Sequence, residues 1–213
     1  MLFFMRVEMP NSAPSSRDEL RKRLRAERER LSPTQRIEAA NGVAESLEQL
    51  PEFLVDQRVA GYWAVAGELP LHAAVARLRA RAQHYHVPVI SPARTLRFAP
   101  LLPNSTLQPN RYGIPEPACA QTDLLAPAEV ELVLVPLIAF DRRGQRLGTG
   151  GGYYDRSFSF LREASRPAQP ILVGIGYSFQ EVAELPAQKW DVPLDYIATD
   201  RELIDCHVLD TKA

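Results

Sequence analysis

Apolar residues recur along this chain with two different periods. Leu20, Leu24 and Leu31 make a narrow stripe in an otherwise charged stretch, and their spacing predicts a helix over 17–31. Ser16 followed by Glu19 is a capping box with Ser16 as N-cap. Ser32, Pro33 and Gln35 repeat a helix start, with proline at the first helical position, and Ile37, Ala40, Val43 and Leu47 carry a second helix to about residue 50. Residues 59–65 read as a strand, followed by a helix over 71–83 and strands over 87–90 and 96–102. A proline-rich irregular stretch fills 103–129. Residues 131–140 are almost continuously apolar, the pattern of a strand covered on both faces. A glycine loop over 144–152 opens a helix over 153–164. A buried strand over 171–177, a helical turn over 178–186 and a last strand over 193–198 complete the order.

Strand and helix alternate, so the expected class is α/β with a mostly parallel sheet between helices. The expected organisation is a flexible lead-in over 1–16, a single α/β domain over 17–205 and a tail over 206–213. Met5 and Met9 are alternative starts to Met1. No internal repeat or low-complexity tract is present.

Composition narrows the field. The 213 residues carry 25 Lys plus Arg against 26 Asp plus Glu, a formal net charge of −1, so no global basic field argues for bulk nucleic-acid binding. Between residues 17 and 30 the seven basic and four acidic residues leave only +3. Two cysteines, Cys119 and Cys206, exclude a disulfide framework and a four-cysteine zinc site, and a cytoplasmic protein with reduced thiols is expected. No run reaches the ~18 apolar residues of a spanning helix. The prolines, 18 in all, predict rigid connections. His84 and His86 flank one residue at a turn and lack metal-ligand spacing.

Ligands of open α/β sheets sit beyond the carboxyl ends of the strands. Two segments carry suggestive residues there: Gly67-Glu68, and Asp141 followed by Gly144 and the run from Arg146 to Asp155. Four glycines within 148–152 lose much conformational entropy on folding, which suits either close backbone approach to a phosphate or a tight surface loop. The run lacks the lysine of a P-loop and the third glycine of a dinucleotide fingerprint. Arg142, Arg143 and Arg146 add positive charge nearby. Asp155, in the first turn of the expected helix, suits the helix dipole or a Mg²⁺ ion on a bound triphosphate. Asp191 and Asp195 are candidates for a second carboxylate, or ordinary turn residues. Arg17 and Arg21 share a helix face that is either solvated or ligand-facing. Tyr62 and Trp63, on the expected first strand, read as core or as a ligand platform.

The sequence Val135 to Asp141, then Gly144 and Arg146-Leu147-Gly148-Thr149-Gly150-Gly151-Gly152-Tyr153-Tyr154-Asp155, resembles the signature of the 5-formyltetrahydrofolate cyclo-ligase (5,10-methenyltetrahydrofolate synthetase) family. Four further pieces fall in the order of that family: Arg17-x-x-Leu20-Arg21 with Arg28 beyond it, Gly67-Glu68, Tyr112-Gly113-Ile114-Pro115-Glu116-Pro117, and Asp191-Val192-Pro193-Leu194-Asp195. The resemblance spans about 17–200. It implies a three-layer fold like that of ribose-phosphate isomerases and CoA-transferases. It also implies an ATP- and Mg²⁺-dependent conversion of 5-formyltetrahydrofolate to 5,10-methenyltetrahydrofolate by a monomer, without nucleic acid or membrane.

The resemblance further implies roles for residues. Arg17, Arg21, Arg146, Leu147, Gly148, Thr149, Gly150, Gly151, Gly152, Tyr153 and Tyr154 would bind ATP. Trp63, Glu68 and the segment Gly148, Thr149, Gly150, Gly151 and Gly152 would bind the folate. Arg146 and Tyr153 would be catalytic, and Asp155 and Asp191 would hold Mg²⁺. Some family members have lysine in place of Arg17 and of Gly151, so no lysine role is carried over. A folate- or nucleotide-binding regulator without turnover, and an RNA-binding protein using the first helix, are the competing expectations.

Overall fold

The computed structural model describes residues 16–207; the expected lead-in over 1–15 and the tail from 208 onward lie outside the described residues. In chain order the elements are α1 (Arg17–Glu29), α2 (Pro33–Leu47), α3 (Pro51–Val55), β1 (Arg58–Ala60), α4 (His72–Ala80), β2 (His84–Ile90), β3 (Leu96–Pro100), β4 (Leu107–Pro109), β5 (Pro115–Pro117), β6 (Leu132–Pro136), β7 (Ala139–Phe140), β8 (Arg146–Leu147), α5 (Tyr153–Ser157), β9 (Ile171–Ile175), β10 (Tyr196–Ala198) and β11 (Leu203–Asp205). Seven strands form the central sheet in the order β11-β10-β9-β6-β1-β2-β3. Neighbours from β10 across to β2 run parallel; the outer pairs β10–β11 and β2–β3 are antiparallel.

Alternation along the inner strands divides the core between two faces. Val59, Leu132, Leu134 and Val173 meet α2, Phe53 of α3 and α4, represented by Ala40, Val43, Leu47 and Leu78. Ala60, Val133, Val135 and Leu172 point the other way, onto Phe140, Phe158, Leu161, Val192 and Leu194. The expected α/β architecture, a mostly parallel central sheet with helices, is therefore present: α2, α3 and α4 cover one face, and the short α5, the strand β7 and the segments around Phe158, Leu161 and Val192 cover the other.

Both capping boxes form. The Ser16 hydroxyl accepts the Glu19 amide at 3.2 Å while Glu19 accepts the Ser16 amide at 2.9 Å, and Ser32 and Gln35 do the same for α2. Several boundaries differ from the sequence expectation. The second helix stops at Leu47; Leu50, preceding Pro51, is extended with ψ 114, and Pro51 opens the separate helix α3. The apolar run 131–140 is broken at Pro136, after which the chain turns out of the sheet into the β7–β8 hairpin. The first strand ends at Ala60, and Gly61 follows, still donating to the His86 carbonyl at 3.0 Å; a Cβ there would lie 2.3 Å from the Tyr85 hydroxyl, so the position takes only glycine. Trp63 is thus on a loop beyond the strand. The stretch 103–129 contains the small hairpin β4–β5, and the last strand acquires an antiparallel partner, β11.

Two buried leucines place α1. Leu20 and Leu24 pack with Ile138, Ala139 and Leu147 of the β7–β8 region, a burial worth roughly 1.5–3 kcal/mol per side chain. The same contact brings the arginines of α1 to the carboxyl end of β6.

Candidate active site

Beyond the carboxyl ends of β1 and β6 lie two adjoining cavities. The first, ≈ 320 Å³, is lined by Arg17, Arg21, Arg146, the segment Leu147 to Asp155, Trp190 and Asp191. The second, ≈ 510 Å³, is more apolar and is lined by Tyr62, Trp63, Val65, Pro88, Ile90, Leu96 and the loop around Tyr112 to Ile114. Glu68, Pro136, Thr149, Gly151, Tyr153 and Tyr154 line both, so they form the shared wall.

The glycine segment owes its course to left-handed backbone. Gly150 has φ +103 and Gly152 φ +62, conformations that side chains rarely adopt, and a Cβ on Gly150 would project into open space. The helix that follows is shorter than expected: α5 has five residues, and Phe158 leaves it with φ −107 to enter the core, its ring 6.1 Å from that of Phe98. So short a helix has a small dipole. Anion attraction at this site therefore rests on exposed backbone and arginines.

Those arginines come from separate elements. Arg21 donates through Nε to the Gly148 carbonyl at 3.0 Å and through Nη1 to Asp18 at 2.6 Å. Arg17 donates to the Pro186 carbonyl at 2.7 Å and to Asp191 Oδ2 at 3.4 Å. Arg146 donates to Asp155 Oδ1 at 2.5 Å and to the Val192 carbonyl. Asp155 and Asp191 both face the first cavity. Asp155 Oδ2 and Asp191 Oδ1 accept no hydrogen bond from the described residues. Among the described residues no group of three or more His, Cys, Asp or Glu side chains forms a self-sufficient metal cage.

Glu68 sits in a tight turn after β1. Its Oε2 accepts the Val65 amide at 3.1 Å, and Ala66 and Gly67 have φ 48 and 75. Burial raises its pKa above 4.5, opposed by the Val65 amide and by Arg28. Arg28, 1% exposed, lies beneath this turn; among the described residues its Nε has no partner and its side chain makes one long hydrogen bond, 3.5 Å, to the Leu137 carbonyl. Burial lowers its pKa. Tyr153 reaches the opposite hairpin: its hydroxyl is 2.8 Å from that of Tyr112 and accepts from Arg111 at 3.1 Å. These contacts, Tyr112 foremost, lower the Tyr153 pKa. Burial raises that of Tyr154.

Every residue named above for ATP, folate or Mg²⁺ lines one or both cavities. Three other expectations fail. Asp195 is fully buried away from the cavities, bound by Arg166 and by the Leu172 amide at 2.7 Å, with His207 Nε2 3.3 Å from its carboxylate. Arg142 pairs with Glu181 and Glu202, and Arg143 with Glu184, all pointing outward. Their spacing from the glycines suggests proximity, but their ion pairs hold them to Glu181, Glu202 and Glu184, outside the lining of both cavities. Conversely, Trp190 and Arg111 were not expected at the site. Trp190 precedes Asp191 directly, which is the signal that sequence offered.

A model of the 5-formyltetrahydrofolate cyclo-ligase family matches residues 13–200. The chain belongs to this family. The family's 5-formyltetrahydrofolate cyclo-ligase from Haemophilus influenzae is 33% identical over 180 residues, covering 84% of this chain and 94% of that protein. The enzyme of the same name from Escherichia coli K12 is 33% identical over 178 residues, 83% of this chain and 96% of that protein. The NMR structure of Aquifex aeolicus 5,10-methenyltetrahydrofolate synthetase shares the fold with a TM-score of 0.75 at 30% identity, over 90% of this chain and 93% of that one. Membership makes the chain a ligase of folate metabolism. The two cavities then have two substrates to account for.

Proposed function

We propose that residues 17–205 act as one catalytic domain that converts 5-formyltetrahydrofolate and ATP to 5,10-methenyltetrahydrofolate, ADP and phosphate. The observation that carries this reading is the junction of the two cavities at the glycine segment. One cavity is lined by three arginines and the glycine segment, as a triphosphate requires; the other is apolar with a single carboxylate, as a pterin requires.

A formamide oxygen is a poor leaving group. Transfer of the γ-phosphoryl group to that oxygen, with departure of ADP, converts it to a good one. N10 of the folate then attacks the formyl carbon, the ring closes, the N10 proton is lost and phosphate leaves with the oxygen. No covalent enzyme intermediate is needed. The protein's work is alignment and charge stabilisation. Leu147 to Tyr154 supply backbone to the triphosphate, and Arg17, Arg21 and Arg146 supply positive charge. Glu68 accepts hydrogen bonds from the pterin, against the wall of Trp63. Tyr153, at the boundary, orients the formyl group. Asp155 and Asp191 fit a Mg²⁺ ion shared with phosphate oxygens: each has one oxygen without a partner among the described residues, and together they are too few to cage the ion alone. Such an ion neutralises charge on the phosphates.

We read the protein as a cytoplasmic monomer acting on small molecules without nucleic acid. Both cysteines are free, and no described helix is long and apolar enough to cross a membrane. Mixing the purified protein with 5-formyltetrahydrofolate and Mg·ATP tests the activity. Near-ultraviolet absorbance of the methenyl product should rise only with ATP, matched by equimolar ADP. A flat trace from folded protein that binds both substrates would instead favour a regulator without turnover.

A further inference from the structure

Trp190 stands out among the aromatic residues of the site. Tyr153 and Tyr154 line both cavities, and Tyr62, Trp63 and Tyr112 line the second; Trp190 belongs to the first cavity alone. It is 59% exposed, an apolar ring left largely in water. Yet its backbone is held firmly. The Asp191 amide donates to the Gln188 carbonyl at 3.0 Å, and the Gln188 amide donates to Asp191 Oδ2 at 2.9 Å, closing a turn around it. Arg17 fastens the preceding segment at the Pro186 carbonyl, 2.7 Å, and the Val192 amide fastens the next residue but one to Asp155 at 3.2 Å. An exposed ring on a pinned turn, beside a carboxylate and arginines, is preorganised for a flat partner.

We propose that Trp190 is the base platform of the nucleotide site, stacking on the adenine of ATP while Arg17, Arg21, Arg146 and the glycine segment hold the triphosphate. The assignment rests on ATP being the phosphoryl donor. Stacking uses the π-face common to every base, so the platform strengthens binding without reading the base edge. It also orders the two substrates: adenine at the outer end of the first cavity leaves the γ-phosphate toward the shared wall and the second cavity.

The chain has two tryptophans, Trp63 and Trp190, one in each cavity. In a Trp63→Phe variant all tryptophan emission comes from Trp190. ATP should quench or shift that emission, and inorganic tripolyphosphate, which has no base, should leave it nearly unchanged. By calorimetry Trp190→Ala should weaken ATP about ten-fold or more while leaving tripolyphosphate affinity unchanged, and Trp190→Phe should restore most of the loss. Equal responses to ATP and tripolyphosphate, or unchanged ATP affinity in Trp190→Ala, would overturn the platform while leaving the nucleotide site standing. No calorimetric binding of ATP to the unaltered protein would overturn both readings.

Discussion

Arg146 donates to Asp155 Oδ1 at 2.5 Å, and the same oxygen accepts the amide of Val192 at 3.2 Å. Asp155 is therefore a structural clamp as well as a site carboxylate: it ties α5 to the 190s segment through one oxygen and leaves the other to the cavity. Arg146 is nearly enclosed, its side chain 7% exposed, so the pair is a partly buried one.

Asp155→Asn separates these two roles. The amide oxygen still accepts from Arg146 and Val192, while the negative charge is lost. Stability should fall by about 1–3 kcal/mol, the range for weakening a charge-assisted hydrogen bond. The Mg²⁺ concentration for half-maximal turnover should rise ten-fold or more. Unaltered turnover at limiting Mg²⁺ rules the metal role out.

Gly150→Val tests the backbone cradle. The residue has φ +103, and its Cβ would enter open cavity space. Strain of about 1–3 kcal/mol is expected, with ATP binding lost. Calorimetry that finds full ATP affinity in a folded variant contradicts the cradle.

Glu68→Gln should act on folate and stability in opposite directions. Burial holds the Glu68 pKa above 4.5. A raised carboxyl favours the folded state fully below pH 4.5 and loses that contribution as pH rises through the folded pKa. Removing the charge should thus stabilise the protein at neutral pH and much less in acid, as melting curves at several pH values will show. Loss of a charged acceptor should weaken 5-formyltetrahydrofolate binding about ten-fold or more. A variant that is less stable at neutral pH than in acid, relative to the parent, refutes the titration argument.

Asp195→Ala, in contrast, should injure the fold alone. It strips a fully buried carboxylate from Arg166 and the Leu172 amide, a change that costs about 3–5 kcal/mol when one member of a buried pair remains. Substrate affinities of the surviving folded fraction should match the parent. A specific loss of Mg²⁺ dependence would place Asp195 in the site after all.

Tyr112→Phe removes the hydroxyl that meets Tyr153 at 2.8 Å. Tyr112 is 55% exposed, so stability should change by less than about 0.5 kcal/mol. The KM for 5-formyltetrahydrofolate should rise several-fold with ATP affinity unaffected, because Tyr112 lines only the second cavity. An effect on ATP but not folate reverses the assignment of the two cavities.

The amino-acid sequence by itself determined the local signals. Ser16 with Glu19 and Ser32 with Gln35 start two helices through contacts three residues apart, and both form as read. The apolar run leading to Pro136 is buried wherever it lies, and the glycine run leaves its backbone free to take the left-handed conformations found at Gly150 and Gly152. The family motif, being contiguous, was legible for the same reason. Tertiary structure decided what depends on distant partners. Arg21 meets the Gly148 carbonyl only because Leu20 and Leu24 dock α1 on the β7–β8 hairpin. Asp191 and Asp195 look alike in sequence, but chain packing turns one to the cavity and seals the other against Arg166. Trp63 lies beyond the end of its strand at Ala60, and the tertiary fold places it in the wall of the second cavity. Trp190 acquired meaning only when its turn was pinned between Arg17 and Asp155. Hydrogen bonds within a turn of chain are written in its order of residues; contacts across more than a hundred residues are set by how the sheet's two faces are filled.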